Sequence, residues 1–88
     1  MYIFDLASGA SDTIEAPEGK VFENSTFEIT VSGGGTATIE YRVRGHNDYV
    51  SAGEFTSTGE ILLRTQVNGF RVTAADGSVT VTISSRRG

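Results

Sequence analysis

In four segments between Phe27 and Ser85 the chain places apolar residues at every second position, and this alternation constrains its fold more than any other feature. Successive side chains of a strand leave on opposite faces, so such a pattern marks half-buried strands. FEITVS sets Phe27, Ile29 and Val31 on one side. TATIEYRVR sets Ala37, Ile39, Tyr41 and Val43 on one side, with Thr36, Thr38, Glu40, Arg42 and Arg44 opposite. FRVTA supplies Phe70, Val72 and Ala74, and SVTVTIS supplies Val79, Val81 and Ile83 against Thr80, Thr82 and Ser84. In EILLR, Ile61 and Leu63 take the core side and Leu62 points the other way. No segment sustains a helical period, and β-branched residues dominate the alternation.

Turn residues separate these runs. Gly33, Gly34 and Gly35 supply positive φ for a hairpin, Asp76-Gly77 is a strong hairpin signal, and Asn68-Gly69 makes the same case before FRVTA. TSTG, residues 56 to 59, links YVSAGEF to EILLR. The spacing predicts consecutive antiparallel strands from Phe27 to Arg64 and beyond, closed by a hairpin from Phe70 to Ser85. YIFDL and the segment from Lys20 to Phe22 complete the sheets, EAPEGK with Pro17 and Gly19 is a loop, and Arg86, Arg87 and Gly88 are a frayed end. The expected fold is all-β, a small antiparallel sandwich or jelly-roll-like barrel of about seven or eight short strands. Residues 1–88 are read as a single β domain, since 88 residues build one core.

A core this small calls for a supplement: disulfides, a structural metal or association. Cysteine is absent, which removes the first and the thiolate ligands of the second. Self-association is the supplement left, and a homo-oligomer is expected. MYIFDLASGASD has no basic n-region and no long apolar run, so synthesis in the cytoplasm is expected and a membrane partner is not.

The net charge of −4 argues against nucleic acid as a partner, because phosphate binding needs clustered Lys and Arg. The charge is unevenly spread. Residues 1–40 hold Asp5, Asp12, Glu15, Glu18, Glu23, Glu28 and Glu40 against Lys20 alone; residues 41–88 hold six arginines against Asp48, Glu54, Glu60 and Asp76. This polarity is either plain surface charge or complementary contact with another subunit or partner.

Reactive constellations are thin. GHND holds the single histidine, His46, beside Asp48, but one imidazole and one carboxylate do not fill a coordination shell, and Gly, Asn and Asp suit a turn. No serine lies in a GxSxG elbow to use His46 as a base, and nothing near Glu54 or Glu60 raises a carboxyl pKa for glycoside hydrolysis. SGGGT lacks the Lys-Ser/Thr and the helix of a phosphate loop. Asn24-Ser25-Thr26 fits a glycosylation pattern without a secretory signal to give it meaning. No enzyme activity, cofactor or metal is expected.

Contact surfaces remain. Thr80, Thr82 and Ser84 beside Thr36 and Thr38 offer a hydroxyl array, or the ordinary outer filling of a sheet. Arg42, Arg44 and Arg71 share outward parity and, on neighbouring strands, form a basic patch for a partner's carboxylates or a merely solvated face. Outward Leu62, beside Tyr2 or Phe4 on an edge, is a candidate oligomer contact. Arg42, Arg44, Arg71 and Leu62 are thus the candidate partner-contact residues.

The run from TATIEYRVRG through NDYVSAGEFTSTGEILLRTQVNGFRVTAADGSVTVTISS resembles the small accessory structural proteins encoded among virion genes of tailed bacteriophages. The likeness rests on the TATIEYRV strand, a central SAGEFTSTGE hairpin and a closing GFRVTAADGSVTVTIS hairpin, and it covers about the last half of the chain. It carries no catalytic or binding motif, so no functional residue follows from it. It implies a non-enzymatic virion protein, for capsid decoration, a knob or a fibre, that works as a homo-oligomer on a larger virion protein. The alternative is a small β-sandwich module recognising carbohydrate or another protein through its threonine and arginine face.

Overall fold

The computed structural model describes residues 2–15, 25–63 and 66–86. Eight strands follow in order: β1 (Tyr2–Leu6), β2 (Ser11–Glu15), β3 (Ser25–Ser32), β4 (Thr36–Val43), β5 (Tyr49–Phe55), β6 (Gly59–Leu63), β7 (Val67–Ala75) and β8 (Val79–Arg86). They form two four-stranded sheets, β1-β8-β3-β6 and β2-β7-β4-β5, with every neighbouring pair antiparallel. This interleaved order is that of a jelly roll, two Greek keys folded face to face. The expected all-β sandwich is the observed one.

The core parity holds strand by strand among the described side chains, outside which that of Leu63 lies. Phe4 and Leu6, then Phe27, Ile29, Val31, Ile61, Val79, Val81 and Ile83, line the inner face of the first sheet. Ala37, Ile39, Val67, Phe70, Val72 and Ala74 line the second. Phe27 and Phe70 meet edge to face across the gap, with centroids 5.0 Å apart and ring planes at 68°. Tyr41, which pairs with the exposed Val50 on edge strand β5, is only half-buried, as is Val43 nearer the end of the sandwich.

The connections correct the expected hairpins. Only β4 and β5 are consecutive strands that pair; β3 and β4, β5 and β6, and β7 and β8 lie in different sheets. Residues 33–35 and 76–78 are therefore arches that carry the chain from one sheet to the other. Their positive φ is real, at Gly33, Gly34, Asp76 and Gly77, but it serves a crossing instead of a reversal within one sheet. The two arches dock on each other. Gly35 N donates to Ser78 O at 3.1 Å, whereas Gly77 N donates to Ser8 Oγ, in the connection from β1 to β2, at 3.2 Å.

Asn68-Gly69 is not a turn but part of β7. Arg42 pairs with Gly69 and Val43 with Val67, so Asn68 is the extra residue of a bulge. β2 went unpredicted because SDTIE carries one apolar residue, Ile14; Asp12 shares its parity and stands exposed, a charge that blunts the sheet edge. Arg86 is the last residue of β8, paired with Thr26, and is no frayed end. Pro17, Gly19, Lys20 to Phe22, Asn24, Arg64, Arg87 and Gly88 lie outside the described residues.

Candidate functional site

Register builds the outer face of the second sheet row by row. Ser11, Thr73, Thr38 and Glu54 form one row across β2, β7, β4 and β5; Thr13, Arg71, Glu40 and Ser51 form the next; Glu15, Gly69, Arg42 and Tyr49 form the third. Two of the three candidate arginines, Arg42 and Arg71, thus share this face. Arg44 lies past the end of β4, exposed, where its Nη1 donates to Gln66 Oε1 at 2.9 Å.

The face is mixed in charge, where the sequence left a basic patch and a merely solvated face open. Arg71 stands opposite Glu40 and grips it with two bonds, Nε to Oε1 at 2.9 Å and Nη2 to Oε2 at 3.0 Å. This is the bidentate geometry of a strong charge-assisted pair. Arg42 reaches across Gly69, which has no side chain to block it, to Glu15 Oε1 at 3.7 Å, and its Nη1 donates to His46 O at 3.2 Å. The Glu15 carboxylate is largely exposed, so that second pair contributes little stability. Both pairs join a carboxylate of the acidic first part to an arginine of the basic second part. The charge polarity of the sequence is, to that extent, satisfied within one chain.

Tyr49 is the residue sequence reasoning missed. Its ring lies under the Arg71 guanidinium, 4.5 Å from centroid to carbon, and its hydroxyl sits over Gly69, 3.0 Å from where a Cβ would stand. The hydroxyl is buried with no hydrogen-bond partner, as is Asn68 Oδ1 at the bulge. The available signal was Gly69 itself, since a glycine within a strand marks a close approach.

The hydroxyl rows divide between opposite sides of the molecule. Thr36 and Thr38 belong to the second sheet, whereas Thr80, Thr82 and Ser84 face outward from the first, beside Thr30, Ser32, Ile3 and Asp5. Thr80 Oγ1 donates to Asp5 Oδ1 at 2.7 Å. Ile3 is 61% exposed there. Leu62 occupies β6 opposite Thr26, at the other edge of the sheet from Tyr2 and the buried Phe4 of β1 and so not beside them as expected, and its side chain lies outside the described residues. His46 and Asp48 are exposed in the turn joining β4 to β5, where His46 N donates to Val43 O at 3.0 Å. Among the described residues no group of three or more His, Cys, Asp or Glu is placed to hold a metal ion, and no helix is long and apolar enough to cross a membrane.

Arg71 hydrogen bonds, with a smaller direct charge attraction, hold the Glu40 carboxyl below its usual range; partial burial works against them. In the unfolded chain Glu40 titrates normally, so the folded state binds its proton less readily. The pair's stabilisation is complete above the ordinary carboxylate pKa and is lost as pH falls through the lower folded value. Wild type should therefore melt above Glu40→Gln near neutrality, with the gap closing on acidification. Thermal melts across pH check this, and a gap independent of pH would remove the ion pair as its source.

Comparison with family models, curated proteins and solved structures finds no match to the chain.

Proposed function

We propose that this chain is a non-enzymatic structural protein of a bacteriophage particle, made in the host cytoplasm, that forms homo-oligomers and attaches to a larger protein of the capsid or tail as decoration or knob. The observation that carries the reading is the strand order, β1-β8-β3-β6 against β2-β7-β4-β5. Jelly rolls of this order recur in viral capsid and lectin domains, and here the order accompanies the resemblance of the second half to accessory virion proteins. The warrant is one of architecture, so it supports a class of role and assigns no residue. A sandwich whose sheet-crossing arches bond to each other holds its shape while its faces and edges meet partners, and copies in a ring or cluster multiply weak contacts.

Sedimentation velocity over a concentration series tests the first half of this reading. A discrete oligomer is expected, and a monomer at every concentration would overturn it. Mass spectrometry of purified particles tests the second half, by the presence or absence of this chain's peptides.

A second reading, a small module for carbohydrate or protein recognition, is favoured by the stacked Tyr49 and Arg71 beside the row Ser11, Thr73 and Thr38. Neither sheet face joins all the threonines to the arginines, so such a module would use the second sheet alone. Chemical-shift changes confined to that row on adding a glycan panel would favour it.

A further inference from the structure

We propose that residues 44–51, the turn after β4 with the first half of β5, form a flap that is hinged at a bulge and latched by the Tyr49 side chain. The hinge lies in the ladder. Ile39 pairs with Gly53 and Glu40 with Ser51, so Ala52 is left over, and Gly53 takes φ of 126°. A bulge breaks the run of cross-strand bonds and bends the strand that carries it, which uncouples the two halves of β5. β5 is also a sheet edge, bonded to β4 on one side only.

Little else holds the flap. Gly45 to Asp48 are exposed, and so are Val50 and Ser51. Val50 stands opposite the half-buried Tyr41 and is itself 49% exposed. The turn is bonded at its base through Arg44, whose N and Nη1 donate to Gln66 O and Oε1, and nearer its tip through His46, by its N to Val43 O and by its O from Arg42 Nη1.

Tyr49 supplies the attachment that reaches the sheet interior. Its side chain crosses β4 to lie over Gly69 of β7, and the guanidinium above it is fixed by Glu40. The latch is imperfect in a particular way. Closed, it strands the Tyr49 hydroxyl away from any partner; open, it returns that hydroxyl to water. The unmade bond biases the flap towards release, whereas the ring's burial and its contact with the cation oppose it. Release uncovers the edge of β4 that β5 covers, from Glu40 to Arg42. The device stands whether or not the chain assembles.

Native-state hydrogen exchange, resolved by residue, tests it. In the wild type those amides of residues 49–51 that bond to β4 should exchange about tenfold or more faster than those of Gly53 to Phe55 that do. Tyr49→Ala should accelerate residues 44–51 while leaving Val81 and Ile83 at the sheet centre unchanged. Tyr49→Phe, which keeps the ring and deletes the stranded hydroxyl, should slow the flap. Equal protection on both sides of the bulge in the wild type would overturn the proposal. So would uniform acceleration of every amide by Tyr49→Ala, or faster flap exchange in Tyr49→Phe, a variant mild enough to fold in any case.

Discussion

Phe70→Ala should destabilise the fold by about 3–5 kcal/mol, the cost of emptying a fully buried aromatic site. Phe70 is 0% exposed on β7 and meets Phe27, 1% exposed on β3, so truncation removes a contact that joins the two sheets. The space cannot refill cheaply. The core cluster to which Phe70 belongs includes β-branched Ile29, Ile39, Val67, Val72 and Ile83, whose χ1 angles are stiff, on strands pinned on both sides by pairing. A small domain holds roughly 5–15 kcal/mol in total, so the variant should sit near the edge of folding. Urea denaturation followed by fluorescence or far-UV circular dichroism measures the loss. A shift of less than about 1 kcal/mol would mean that the sheets close around the deletion, contrary to the rigid interior argued here.

Gly35→Ala should cost about 2–4 kcal/mol, from overpacking against fixed backbone and the hydrogen bonds lost as the arches part. A Cβ at residue 35 would stand 2.6 Å from Gly77 C and closer still to Gly77 O, with Ala75 O at 3.0 Å. None of these atoms belongs to a flexible side chain. Relief requires the arches to separate, which breaks the bond from Gly35 N to Ser78 O. The neighbouring Gly34 makes an instructive control. Its φ of 90° strains any side chain, yet nothing lies within 4 Å of its Cβ position. If docking of the arches governs, Gly35→Ala lowers the melting temperature more than Gly34→Ala. If backbone conformation alone governs, the order reverses.

That contrast marks how far the residues announce their own structure. Which side chains go inside is a local property of each strand, and Phe27, Ile29, Val72 and Val81 declare it by spacing alone. Which strands become neighbours is not local. Gly33 to Gly35 and Asp76-Gly77 supply the conformations that a hairpin and an arch both use, and the choice between them is made by long-range pairing of β8 with β1 and β3. β2 escaped notice because an edge strand with one half-buried isoleucine lacks the alternation that reveals the others.

The outer face was legible in parity and illegible in chemistry. Arg42 and Arg71 do point outward from one sheet, as their spacing requires. Glu40 lies one row partner from Arg71 only because β4 and β7, distant in the chain, align in a particular register. With that register known, the same spacing gives an ion pair in place of a vacant cation. The role of Tyr49 depends on both this register and the missing side chain at Gly69, and no pattern within YVSAGEF signals it.

β8 lies between β1 and β3, bonded to both, and this placement bears on how the protein is made. During translation the first and third strands exist well before Val79–Arg86 has left the ribosome, and neither has its main partner. The nascent chain must carry their apolar residues without this shelter until β8 inserts. Pairing of this kind comes late, and until then the unpaired strands expose the growing polypeptide to aggregation.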